Sequence, residues 1–267
     1  MGVLNVTPDS FSDGGLYVTP ASAVARGLDM IDAGADVIDV GGESSRPGAE
    51  PVPVAVELER VVPVVEALAM TASRSGREVR LSVDTVKAEV ALAALAAGAS
   101  LVNDISASLW EVAAGAGAGW VAMHMRGQPR TMQESPRYGA VADEVRSFLL
   151  ERAGLALRSG VREVWVDPGI GFGKTKVHNL SLLRHLGDLV EAAAGAGCAG
   201  VVVGTSRKNF LGLLAADPGS GEPAPVADRV EGSLATAAAA LVAGAGMVRV
   251  HDVAATVQMT RLYGPAA

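Results

Sequence analysis

Polar residues able to do chemistry recur along this chain, each closing a short apolar run: Asn5, Asp84, Asn103, His124, Asp167, Lys208, and the pair Arg249 and His251. Asp84, Asn103 and Asp167 offer two carboxylates and an amide. Such an acceptor set matches a flat, nitrogen-rich heterocycle whose amino and ring N–H groups need partners. Arg249 and His251 are two apart, so on an extended backbone both point the same way, and together they suit a pyrophosphate. Asn5 interrupts an apolar stretch, where an unpaired amide is costly, so it requires a bound ion, a ligand or a backbone partner. For Asp84 a second reading stays open: it stands just before a helical run and could serve as its N-cap. No partner can be named for His124.

Polar loops follow several of these runs. The segment 5–15, Asn-Val-Thr-Pro-Asp-Ser-Phe-Ser-Asp-Gly-Gly, places Phe11 and Asp13 beside two glycines, a composition suited to a mobile lid. Segment 41–49, Gly-Gly-Glu-Ser-Ser-Arg-Pro-Gly-Ala, supplies hydroxyls (Ser44, Ser45) and the Arg46 guanidinium next to a rigid Pro47. Backbone amides and an arginine there suit a carboxylate or phosphate. The segment 168–175, Pro-Gly-Ile-Gly-Phe-Gly-Lys-Thr, ends like a phosphate-binding P-loop but has Pro168 where the first glycine belongs, which excludes the ATPase reading. His178 and His185 fall on a helical run and read as solvated surface residues.

What must position these groups is a repeating unit. Short Val- and Ile-rich runs, apolar on both faces, predict strands at 2–6, 36–40, 79–83, 100–103, 119–123, 163–166, 200–203 and 247–250. Helical patterns fill the gaps at 20–33, 54–69, 87–97, 140–158, 179–192, 227–243 and 252–262, with only a weak glycine-rich helix signal after the fourth strand. The tripeptide Ala-Gly-Ala ends three of these helices, at Gly34, Gly98 and Gly244, where glycine can take the left-handed conformation that stops a helix. Eight such units predict a single (β/α)8 TIM barrel over 1–267, in which all strand ends meet at one rim. A doubly wound open sheet is the alternative, with its site at one switch point.

Composition narrows the class. The 267 residues carry a net charge of -7, with 49% hydrophobic and 4% aromatic residues. That charge argues against a general nucleic-acid binder while leaving room for a local cationic pocket. One cysteine, Cys198, excludes an internal disulfide and points to a reducing, cytoplasmic location. Neither an export signal nor a membrane-spanning run is visible. Met1 stands directly on the first strand without the lead-in that normally plugs a barrel, so either the gene start is expected upstream or the cap has been lost, with a native short start as the plain alternative.

Seven motifs in one order give the chain its resemblance: 5–15 and 41–49 above, then Ser-Val-Asp-Thr (82–85), Val-Asn-Asp-Ile (102–105), Asp-Pro-Gly-Ile-Gly-Phe-Gly-Lys (167–174), Ser-Arg-Lys (206–208) and Arg-Val-His-Asp-Val (249–253). Together they resemble the dihydropteroate synthases over nearly the whole chain. The resemblance implies a TIM barrel, usually homodimeric. Its members join 6-hydroxymethyl-7,8-dihydropterin pyrophosphate to p-aminobenzoate. It further implies that Asp84, Asn103, Asp167 and Lys208 hold the pterin and that Asn5 coordinates Mg²⁺ on the pyrophosphate. Arg249 and His251 would bind the phosphates. Ser45, Arg46 and Pro47, with Phe11 and Asp13, would form the aminobenzoate side, Ser45 standing where many members carry threonine. A pterin-binding methyltransferase domain would share the acceptor set but has no pyrophosphate to bind, which Lys208, Arg249 and His251 argue against. A non-catalytic pterin-binding paralogue is disfavoured because every implied position is filled.

Overall fold

The computed structural model describes residues 1–7, 19–44, 48–75, 78–216, 219 and 221–263. Phe11, Asp13, Ser45, Arg46 and Pro47 lie outside the described residues. Eight parallel strands run in sequence order: β1 (Gly2–Asn5), β2 (Val37–Gly41), β3 (Arg80–Asp84), β4 (Leu101–Asp104), β5 (Gly119–Met123), β6 (Val164–Asp167), β7 (Gly200–Val203) and β8 (Met247–Val248). A parallel bridge between Gly2 and Val250 joins the last strand to the first, with Val3 N–H on Val250 O and Val250 N–H on Met1 O, both at 2.9 Å. The sheet thus curls into the predicted barrel.

Strand parity sorts the side chains. Leu4, Ile38, Val83, Val102, Val166 and Val203 point outward into one large core with the helices. On the opposite parity Met1, Val37, Leu101, Val121, Trp165, Val202 and Met247 cluster inside the barrel, with Leu101 and Val121 fully buried. One step further along the same inward faces stand Asp39, Asn103, Asp167 and Arg249. An apolar plug therefore fills the barrel's lower half and the polar residues sit above it, because successive inward positions are two residues apart.

The helices are α1 (Pro20–Asp32), α2 (Val54–Ser75), α3 (Ala88–Ala96), α4 (Trp110–Ala116), α5 (Val141–Arg158), α6 (Lys176–Arg184), α7 (Leu186–Gly195), α8 (Asn209–Leu214), α9 (Val230–Val242) and α10 (Val253–Tyr263). Thr19 caps α1 by accepting Ser22 N–H at 3.2 Å, with Pro20 at the first helical position. Gly34, Gly98 and Gly244 do take positive φ, at 109°, 115° and 93°, and end their helices as expected.

Several boundaries differ from the sequence reading. The run 179–192 is two helices, broken at His185 (φ -101°, ψ 20°), and the first starts earlier, at a capping box between Thr175 and His178. The 227–243 run is a short 3-10 turn (Val226–Arg229) followed by α9. The six-residue α8 had no counterpart in the sequence reading.

Candidate active site

Arg249 organises one wall of the cup above the plug. Its Nε donates to Asp39 Oδ2 at 2.7 Å and its Nη2 to Asp84 Oδ2 at 2.6 Å. Asn103 Nδ2 donates to the same Asp39 oxygen at 2.9 Å. The register explains the convergence: Asp39 pairs with Ser82 and Asp84 with Asn103 across adjacent parallel strands. Asp84, Asn103 and Arg249 are therefore brought together as the sequence implied. They meet through Asp39, a fully buried carboxylate that the sequence reading did not single out. Its other oxygen, Oδ1, and the neighbouring Ser82 Oγ are buried with no hydrogen-bond partner among the described residues. Unfilled acceptor capacity at the bottom of a polar cup is what a ligand rich in N–H groups would use.

Burial pushes the Asp84 carboxyl up to about 7, with Arg249 pulling against it and Asp39 adding to the rise. Arg249 goes the other way: burial opposes its charge, but Asp39 and Asp84 outweigh that and hold the guanidinium above its ordinary range. Asp84 does not act as the helix cap that its position allowed. The residue at the N-cap of α3 is Lys87, which makes no side-chain cap bond.

The facing wall carries Asp167 and Lys208. Asp167 Oδ1 accepts Gly169 N–H at 2.7 Å, and burial raises its pKa against the pull of Lys208 and that N–H. Lys208 Nζ donates to Ile170 O and lies 4.7 Å from the Phe172 ring centroid. Burial brings its pKa down to about 8, opposed by Asp167. Arg207 is not part of this wall, since it pairs with Asp252, Nε to Oδ2 at 2.9 Å. His251 stands at the rim, its Nδ1 3.1 Å from Ser206 Oγ. Asn5 ends β1 half-buried beside Gly41, itself the register partner of Asp84, so its amide also opens onto the cup.

His124, left without a partner by the sequence, has one: Lys174 Nζ sits 3.0 Å from its Nδ1. Burial, then the nearby Lys174 charge, drive the imidazole down to about 3, so it is neutral at physiological pH. His178 is no free surface histidine either. Its Nδ1 accepts Thr175 N–H at 3.2 Å, and its ring meets Tyr138 edge-on at 4.9 Å. His185 is exposed, as read, although it also breaks a helix.

The pterin binding enzyme family model matches residues 1–251. The dihydropteroate synthase of Escherichia coli K12 is 44% identical over 269 residues, covering 98% of this chain and 89% of that protein. The chain belongs to the dihydropteroate synthase family. Among solved structures, the Yersinia pestis dihydropteroate synthase in complex with a sulfonamide drug aligns with TM-score 0.87 and 42% identity, covering 98% of this chain and 91% of the other. The Xanthomonas albilineans dihydropteroate synthase with 4-aminobenzoic acid aligns at 0.85 and 43%, covering 98% and 90%.

Proposed function

We propose that this protein condenses 6-hydroxymethyl-7,8-dihydropterin pyrophosphate with p-aminobenzoate, forming 7,8-dihydropteroate and releasing pyrophosphate. The observation that carries the reading is the buried cluster of Asp39, Asp84, Asn103 and Arg249 facing Asp167 and Lys208 across one cup. Asp84, Asn103 and Asp167 accept the pterin's amino and ring N–H groups, and Lys208 donates to its carbonyl side. The bond from the pterin methylene carbon to the pyrophosphate oxygen breaks, and pyrophosphate leaves with the electron pair. The arylamine nitrogen bonds to that carbon and loses a proton to water. Cationic character on the methylene is dispersed by Asp84 and Asp167, and the leaving group's charge is met by Arg249 and His251. The arylamine is already nucleophilic, so no dedicated strong base is required.

Mg²⁺ fits one donor here. Among the described residues no group of three or more His, Cys, Asp or Glu could hold a metal ion, but Asn5 offers an amide oxygen at the rim. A cation that keeps most of its water and takes substrate phosphate oxygens needs little more from the protein. Bound there, it would neutralise the departing pyrophosphate. Ser45, Arg46 and Pro47, with Phe11 and Asp13, complete the aminobenzoate side in this reading. A homodimer is also part of it, supported by exposed Leu213, Leu214 and Val226 on adjoining elements. Cytoplasmic location goes with it. No helix among the described residues is long and apolar enough to cross a membrane.

The assay is pyrophosphate release by purified protein given Mg²⁺, the pterin pyrophosphate and p-aminobenzoate. Release that needs both organic substrates is expected. A folded protein that releases none would remove the synthase reading.

A further inference from the structure

The glycine-rich loop after β6 that mimics a P-loop does the opposite of a P-loop. Five consecutive carbonyls, from Gly169 to Gly173, are each taken by a side-chain donor. Lys174 Nζ donates to Gly169 O at 2.9 Å and Phe172 O at 3.0 Å, Tyr138 OH donates to Gly173 O at 3.0 Å, Gln133 Nε2 to Gly171 O, and Lys208 Nζ to Ile170 O. Gly169 (65°), Gly171 (85°) and Gly173 (63°) all take positive φ, a backbone conformation open to glycine without steric cost. A Cβ at Gly169 would overlap His124 O, and one at Gly173 would overlap Arg126 O, so the loop lies hard against the end of β5. Lys174 fills the space behind. It is 3% exposed, and its Nζ also reaches His124 O at 3.2 Å and His124 Nδ1 at 3.0 Å. Among the described residues no carboxylate forms an ion pair with it. Four neutral acceptors converge on one three-donor ammonium, in the manner of a crown ether.

We propose that Lys174 is a positioning residue for pterin recognition, acting by clamping the 169–173 loop so that Asp167 and Lys208 are held in register. Two contacts transmit the effect: Gly169 N–H to Asp167 Oδ1 at 2.7 Å, and Ile170 O receiving Lys208. The same loop therefore grips one lysine behind the wall and one in front of it, with Asp167 between them. Burial draws Lys174 down to about 7, with Asp167 opposing, so the ammonium depends on its cage. The inference rests on the reading that Asp167 and Lys208 hold the pterin.

The test is Lys174→Met, which keeps the buried stem and removes the ammonium, assayed beside Asp167→Asn. With Lys174→Met, KM for the pterin pyrophosphate should rise about tenfold or more, as expected when supporting groups misplace a contact. KM for p-aminobenzoate should move less than about twofold, since a rigid-body defect confined to one wall leaves the other substrate's contacts alone. If the two constants move together with a fall in Tm, or neither moves, the positioning role is wrong. Should Lys174→Met not fold, Tyr138→Phe decides. It deletes the donor on Gly173 O while keeping the ring that Arg126 stacks on, and it should raise pterin KM about threefold, the weight of one hydrogen bond, with aminobenzoate KM unchanged. No change in pterin KM there overturns the proposal. If Asp167→Asn itself leaves pterin KM unchanged, the site reading fails and this inference fails with it. If Asp167→Asn raises it while the loop variants do not, only the inference fails.

Discussion

The two walls of the cup are built from different materials. On the β2–β3–β4–β8 side, side chains bind side chains: Arg249 spans Asp39 and Asp84, and Asn103 joins Asp39. On the β5–β6–β7 side, side chains bind backbone: two lysines, a tyrosine and a glutamine take the carbonyls of one loop. The first wall is a buried ionic cluster, whose members depend on one another because an unpaired charge in low dielectric is costly. The second is a shaped loop, whose form depends on glycine at positive φ and on a caged ammonium. Substitution should therefore fail in two manners, electrostatic on one side and steric on the other.

The largest effect is expected at Asp39. Asp39→Ala strips both Arg249 Nε and Asn103 Nδ2 of their shared acceptor, and breaking a buried pair in this way costs about 3–5 kcal/mol. Urea unfolding should show that loss, with turnover falling as well. Gly169→Ala comes next and tests the other wall. A Cβ would overlap His124 O at a backbone φ of 65°, so about 1–3 kcal/mol should be lost through strain alone. No change in charge is involved, so adding Arg249→Met should leave this loss unaltered, whereas it should recover part of the loss in Asp39→Ala by removing the guanidinium left unpaired there. Equal response to Arg249→Met in the two variants would erase the distinction between the walls.

Asp84→Asn removes one charge while keeping an oxygen for Arg249. A drop of about 10²–10³ in kcat/KM is expected, the usual weight of a preorganised group facing developing charge. Tm should move by only a few degrees, because Arg249 retains Asp39. The pH profile sharpens this. Asp84 is raised to about 7, so its carboxylate forms as pH climbs through neutrality, and pterin affinity should rise over the same range. The sign for stability is reversed. The folded state binds the extra proton between the ordinary carboxylate pKa and about 7, so this group's contribution falls as pH rises across that window. Asp84→Asn should flatten both trends, measured by calorimetric titration and by Tm against pH.

Much of the side-chain wall was legible in the sequence, because strand periodicity puts Asp84, Asn103 and Arg249 on the inward face at the ends of their strands. Asp39 carried the same signal as Asn5, a polar residue inside an apolar run, and it went unread because it stands two residues short of its strand's end. The backbone wall was harder. The pattern of alternating glycines before Lys174 was visible, but its sense was not. Whether such a loop presents N–H groups to an anion or carbonyls to a cation depends on dihedral angles that composition does not specify. His124 lacked a partner in the sequence because Lys174 is fifty positions away, joined to it only when β5 and β6 pair. The break at His185 interrupts an otherwise continuous helical pattern, and α8 is shorter than any window that detects periodicity.

The smallest effect is expected at the opposite mouth of the barrel, and it checks whether chemistry is confined to the rim. Arg80 grips Glu163 there through Nη1 to Oε1 at 2.6 Å and Nη2 to Oε2 at 2.9 Å, while Trp165 Nε1 donates to the same carboxylate at 2.8 Å. The pair is a third exposed on each side, at 38% and 32%, so water screens it. Arg80→Ala should cost about 0.5–1 kcal/mol, less at high salt, since Glu163 keeps its indole partner. Turnover and both KM values should stay at the wild-type level, because the apolar layer of Leu101, Val121 and Val202 separates this pair from Asp84 and Asp167. A fall in turnover beyond about twofold would mean that the plug transmits strain upward, which a packed and nearly incompressible interior permits. The contrast between the two walls would then have to include the floor they share.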